Sequence, residues 1–207
     1  ALYPDHAEAH QHRGIALLAR GRFPDGWKEY AWRVKSSPTF YGRFNYPYWR
    51  GEPLAGRKIL VWTELGPGDE CLTATMIPDL VAAGAHVVLL CSPRMAPIFA
   101  RAFPSIAVIP AGQNPSDRSV TDGIEFQASV SDLGASLRTT FDDFPANRAV
   151  LKADESHAAA LRHRYKGAAA DNAVVGISWR SKNTRSEDAK SVPLTAWGPV
   201  LRSPGPQ

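Results

Sequence analysis

Sulphur is scarce in this chain, and what is scarce narrows the possibilities first. Only two cysteines and two methionines occur in 207 residues. Cys71 and Cys91 show neither metal-ligand spacing nor a disulfide framework, so a reducing compartment, and with it a cytoplasmic location, is expected. Long apolar runs are missing as well. No stretch approaches the roughly 20 residues that a membrane-spanning helix needs. No signal peptide opens the sequence, which starts at Ala1 rather than Met and so reads as an internal piece. Runs of Lys or Arg are also lacking. The formal net charge of +4 is mild, and no RNA-binding or helix-turn-helix signature accompanies it, so nucleic acid is not an expected partner. The arginine-rich surface reads as solvated. His6 and His10 are spaced i, i+4, but near a chain end they read as surface rather than as a metal site. What remains is the composition of a soluble globular protein, 44% hydrophobic and 21% charged.

The stretch from Arg57 to Ser92 organises the rest. Ile59-Leu60-Val61-Trp62 and Val87-Val88-Leu89-Leu90 are apolar runs of strand length. Between them lies the turn Glu64-Leu65-Gly66-Pro67-Gly68-Asp69, followed by Leu72, Met76, Leu80 and Val81 at the spacing of one helical face. Gly84 stands where a glycine commonly ends a helix. Two strands joined by a helical crossover predict a right-handed parallel βαβ unit, whose ligands bind beyond the carboxyl ends of the strands. The turn Gly66 to Glu70 occupies that place.

Residues 1–35 read as a helical hairpin, Ala7 to Arg20 and Asp25 to Val34, interrupted at Gly21-Arg22-Phe23-Pro24. Its length suits one tetratricopeptide repeat, a unit that cannot bury its own face and must stack on something. Residues 36–56 crowd aromatics and prolines together. Such a segment is either a ligand platform or an extended connector held to a core by its rings. Residues 57–170 continue with a helix from Met95 to Phe103, a strand at Ile106 to Ile109, a weaker strand at Ile124 to Ala128, a short helix near Asp132 to Leu137, and a helix from Asp154 to Tyr165. The fold class is therefore α/β, with flanking helices on a parallel sheet. Residues 171–207 open with a strand at Val174 to Trp179 and a basic loop, the expected start of a second, truncated unit.

Taken together, GRFPDGWKEYAWR, PYWRGEPLAGRKILVWTE, the turn LGPGDE, MIPDLVAAGAHVVLLCSPRMAPIFARAFP and VGISWRSKN resemble a bacterial family of tetratricopeptide-repeat proteins carrying a glycosyltransferase-like domain. That family is related to the heptosyltransferases and, more distantly, to O-linked N-acetylglucosamine transferases. The resemblance implies a GT-B fold, two Rossmann-like halves facing a cleft, with the acceptor on the amino-terminal half and a nucleotide-sugar donor on the other. It implies no bound cofactor, and a protein or glycan acceptor. A protein partner would meet the hairpin. The family's turn usually reads EQGLGDE; here Leu65 replaces Gln and Pro67 replaces Leu. The chain stops at LRSPGPQ, where relatives begin the next strand of the donor half, so a complete transferase is not expected from this stretch alone. The rival expectation is a non-catalytic binding module.

Each candidate residue carries two readings. Asp69 reads as an N-cap or first-turn acid favoured by the helix dipole. Through the resemblance it reads as the base that takes the acceptor hydroxyl's proton. Gly66 and Gly68 offer backbone to a phosphate. A dinucleotide fingerprint would want Gly or Ala where Cys71 stands and an acid where Cys91-Ser92 stands, which disfavours NAD. Glu64 reads as a polar contact in the cleft or as a local cap or pair. Arg180, Ser181 and Lys182, with Asn183, read as an exposed basic loop or, in the implied fold, as groups that offset a leaving diphosphate's charge.

Overall fold

The computed structural model describes residues 3–36, 44–64, 66–112, 120–146, 149–166, 176–180 and 190–202. These divide into two compact units, Ala1–Ala153 and Asp154–Gln207. In the first unit, four strands form one all-parallel sheet: β1 (Lys58–Trp62), β2 (His86–Cys91), β3 (Ala107–Pro110) and β4 (Ile124–Ser129). Their spatial order is β3-β2-β1-β4. The β1/β2 ladder runs evenly from Lys58 opposite His86 to Trp62 opposite Leu90. The β1/β4 ladder slips by one residue between Lys58 and Ile59. The chain thus moves outward from β1 to β3, then returns to lay β4 on the other flank of β1. A crevice opens where such a reversal occurs, at the carboxyl ends of β1 and β4.

Helices make the first two crossovers. After β1 come α4 (Pro67–Thr73), a 3-10 turn (Ala74–Met76) and α5 (Ile77–Ala82). After β2 comes α6 (Ala96–Ala102). A single helix with Leu72, Met76, Leu80 and Val81 on its inner face does not form. Pro78 has no N–H to give, and its ring crowds the carbonyl of residue 74. The chain therefore tightens at Ala74–Met76 and restarts with Pro78 in the first turn of α5. Met76, Ile77 and Leu80 are buried, but Leu72 is 71% exposed. Gly84 ends the crossover as expected, at φ +81°, with the Ala85 N–H returning to the Leu80 carbonyl.

Alternate strand residues face two different layers, as a pleated strand requires. Ile59, Val61, Val87 and Leu89 meet Ile77, Leu80, Phe99 and Leu133 on the helical side. Leu60, Trp62, Val88 and Ile109 point the other way, where Phe44, Tyr46 and Tyr48 cover them. The described part of the aromatic segment is thus held to the sheet by its rings, and residues 37–43 lie outside the described residues. The described part also seals a sheet edge: the Trp49 N–H donates to the Gln127 carbonyl and the Gln127 N–H to the Pro47 carbonyl, each at 2.8 Å. The Gln127 amide adds bonds to the carbonyls of Phe44 and Tyr46, at 2.9 and 2.7 Å.

The amino-terminal helices are α1 (Ala7–Ala19), α2 (Phe23–Tyr30) and α3 (Arg33–Ser36). Pro24 does not interrupt the hairpin; it sits in the first turn of α2, where a missing N–H does no harm. Two glycines bring the helices into backbone contact. A Cβ on Gly14 would stand 2.4 Å from the Tyr30 nitrogen, and one on Gly26 would stand 2.8 Å from the Leu18 side chain. On the other side, α2 rests on α7 (Gly134–Leu137), with the Trp27 indole N–H donating to the Arg138 carbonyl at 2.7 Å.

The second unit contains α8 (Glu155–Lys166), a 3-10 turn (Leu194–Trp197) and α9 (Gly198–Leu201). Asp154 caps α8, its Oδ1 accepting the His157 N–H at 3.0 Å. The strand expected over Val174 to Trp179 does not form in its described part: Gly176 to Arg180 belong to no helix or strand. One bond, from the Val192 N–H to the Trp179 carbonyl at 2.9 Å, does not make a ladder. Val174 and Val175 lie outside the described residues.

Candidate functional site

At the crevice between β1 and β4, three parts of the chain converge on one guanidinium. Arg33, at the start of α3, is 5% exposed. Its Nε and Nη2 donate to Glu64 Oε1 at 3.1 and 2.7 Å. Its Nη1 pairs with Asp132 Oδ1 at 2.8 Å. Nη2 also donates to Ser129 Oγ at 3.3 Å, while the Ser129 hydroxyl donates to Glu64 Oε1 at 2.5 Å. The Ser131 N–H closes the network on Ser129 Oγ at 3.2 Å. Glu64 leaves the end of β1, and Ser129 ends β4, so the parallel register itself brings them side by side: Trp62 lies opposite Ser129.

The charge balance is negative, with two carboxylates on one cation and the exposed Asp69 nearby. Tyr30 registers this. Burial pushes its phenol above the usual value, Arg33 opposes, and Glu64, Asp69 and Asp132 push in the same direction as burial. The Arg33 guanidinium lies 4.5 Å from the centroid of the Tyr30 ring. A cleft of about 510 Å³ adjoins Asp132, walled by Ala31, Val34, Tyr48, Trp49 and Ser136.

The residues expected from the turn fall into two groups. Glu64 is drawn into the network, and its partner Arg33 is 31 positions away rather than local. Gly66 is the N-cap of α4, with φ −75° and ψ 168°, and no side chain caps this helix. Asp69 is therefore a first-turn acid and not the cap. Asp69, Gly66 and Gly68 are all exposed. Nothing stands within 4 Å of a Cβ placed on Gly68, and on Gly66 the one near atom is Asp69 Oδ2 at 3.8 Å. Neither glycine is demanded by the protein's own packing.

The inward-facing acid of α4 is Glu70, which the sequence did not single out. It is 2% exposed and accepts the Ser92 N–H on Oε2 at 3.3 Å. Burial, and then the charge of Glu70, pushes the Cys91 thiol up to about 12. Arg180 is exposed and belongs to the second unit. Ser181 and Lys182 lie outside the described residues. Among the described residues no group of three His, Cys, Asp or Glu stands close enough to hold a metal ion. No helix among them is long and apolar enough to cross a membrane.

Arg33, Tyr30, Ser129 and Asp132 were not expected as site residues. One signal was available for the last two: they follow the strand that returns beside β1, and polar residues at adjacent carboxyl ends share a crevice. Arg33 and Tyr30 had no such signal, because only tertiary docking of the hairpin brings them there.

Protein FlbA of Caulobacter vibrioides is similar to this chain, with 32% identity over 208 residues covering 93% of the chain. The chain spans 35% of that relative's length. No family model matches the sequence, and no solved structure does either.

Proposed function

We propose that the chain is the acceptor-side half of a cytoplasmic glycosyltransferase-like protein of the GT-B type, with a Rossmann-like sheet and a tetratricopeptide-like hairpin before it. The observation that carries this reading is the strand order β3-β2-β1-β4, with the glycine turn, Glu64, Ser129 and Asp132 gathered at the point of reversal. Ligands of open parallel sheets settle there. The resemblance of the motifs suggests the reaction class, and the strand reversal supports a ligand at that end of the sheet.

In this reading Asp69 is the base. It is exposed, and the hydrogen bond it takes from the Thr73 hydroxyl, at 2.7 Å, falls on its backbone carbonyl and not on its carboxylate. It takes the proton of the acceptor hydroxyl as that oxygen bonds to the anomeric carbon and the bond to the diphosphate breaks. Glu64, held by Arg33, shapes the crevice instead of moving a proton. Gly66 and Gly68 leave room for the incoming ligand. Arg180, Ser181 and Lys182 meet the diphosphate of the nucleotide-sugar donor. The acceptor is a protein or glycan.

The test compares the natural gene product with its Asp69→Asn variant, measuring nucleotide-sugar binding by calorimetry and sugar transfer by mass spectrometry. The variant should keep its fold and its donor affinity while turnover falls by about 10²–10⁴-fold. A natural product that binds no nucleotide sugar and transfers none refutes the reading. The non-catalytic module, a scaffold that meets a protein partner through the hairpin, is favoured by one observation: the hairpin's Arg33 engages Glu64 so fully that the crevice is also a structural joint. In that case wild type and Asp69→Asn behave alike.

A further inference from the structure

His10 of α1 lies between a backbone carbonyl and a carboxyl group. Its Nε2 is 2.7 Å from the carbonyl oxygen of Pro4, and its Nδ1 is 2.5 Å from Glu29 Oε2. A neutral imidazole has one N–H, so it serves one of these partners and turns a lone pair toward the other. Two protons are needed to satisfy the three groups. Arg13 donates to the second oxygen of Glu29 at 3.1 Å, and the bonds to Pro4 and Glu29 both favour the ring as the holder of the two protons. The ring is stacked on Trp32, with centroids 4.0 Å apart and planes within 12°, a surface that attracts a cation.

We propose that His10 is a proton-operated clasp: as the imidazolium it ties the Pro4 carbonyl to Glu29 of α2, and loss of one proton breaks a tie and frees the segment before α1. The charged groups around it pull both ways. Glu29 and the Pro4 carbonyl favour the second proton. Arg13, on the next turn of α1, opposes it. Lys35 of α3, 3.8 Å from the centroid of the same Trp32 ring, is a further nearby cation. His6, one turn earlier, has its Nδ1 occupied by the Ala9 N–H at 3.2 Å. The net direction is upward from 6.5, with the bond to Pro4 the largest cause and that to Glu29 the next.

A histidine whose folded value is raised adds stability that is fully present below its unfolded value and is lost as pH rises through the folded one. The clasp is therefore shut in mildly acidic solution and opens on the alkaline side of 6.5. It acts on the hairpin's amino-terminal approach and leaves the sheet alone, so it stands whether or not the transferase reading does.

The experiment is a nitrogen-15 NMR titration of the whole chain, with the His10 ring assigned by its loss in His10→Gln. The expected result is a ring protonated on both nitrogens below a midpoint above 6.5, with hydrogen exchange at residues 5–9 speeding several-fold across that midpoint beyond its intrinsic rise. His10→Gln should lack this step, and Glu29→Gln should move the midpoint down. A His10 midpoint at or below 6.5, or the same opening step in His10→Gln, overturns the proposal. The wild-type titration decides even if a variant fails to fold.

Discussion

Trp27 lies so close across Gly134 that a methyl group on the glycine would stand 2.3 Å from the indole Cζ2. The ring cannot retreat freely, because its N–H is bonded to the Arg138 carbonyl at 2.7 Å. Gly134→Ala should therefore cost about 1–3 kcal/mol through overpacking. Urea denaturation followed by tryptophan fluorescence measures it, and an unchanged midpoint would show that α2 does not dock on α7 this way.

Arg33 carries a larger prediction. Removing one partner of a buried ion pair leaves the other charge uncompensated, at about 3–5 kcal/mol. Arg33→Ala strands Glu64 and Asp132 together, so it should be among the most destabilising single changes in the unit. Adding Glu64→Gln to it should recover part of the loss, as contacting residues in one network do not add independently. A double-mutant cycle from urea melts reads the coupling directly.

At Gly68 the expected effects on stability and binding have opposite signs. The position is helical, exposed and sterically open, so Gly68→Ala should stabilise by up to about 1 kcal/mol. If backbone approach by a ligand is what the glycine serves, the same variant loses affinity for the ligand while its melting temperature rises. Thermal melts and calorimetry on one sample separate the two effects.

Cysteine labelling tests the buried side of β2. Cys91 is buried and its thiol is pushed up to about 12, whereas Cys71 is only partly covered. Iodoacetamide at pH 8 should modify Cys71 first and Cys91 only on unfolding, with peptide mapping by mass spectrometry as the readout. The same shift predicts alkaline instability. The unfolded thiol ionises near 9.0 and the folded one near 12, so stability should fall as pH rises between those values.

The strands were legible because each is a short apolar run between turn residues, and Ile124 to Ser129 needed only a neighbour to become regular. The helix between β1 and β2 was misread because apolar spacing was followed across Pro78, whose backbone chemistry overrides periodicity. The site was half legible. Glu64 and Asp69 flank a glycine turn after a strand, a local pattern. Arg33 is 31 positions from Glu64 and 96 from Ser129, and no local rule reports a contact at that separation. Glu70 was hidden for a different reason: in a first turn, one position decides whether a carboxylate faces water or the core.

The strand order also bears on how the chain is made. Of the four strands β1 is made first and ends as one of the two inner ones, yet its second neighbour, β4, is the last of the four to be synthesised. Until residues 124–129 emerge, one flank of Lys58–Trp62 presents unpaired backbone and apolar side chains, the kind of exposed edge on which nascent chains associate. The segment around Pro47 to Trp49 does not pair with that backbone, because its own backbone partner is Gln127 of the same late strand. Synthesis that pauses before β4 should therefore favour association between chains, and rapid completion of the strand should suppress it.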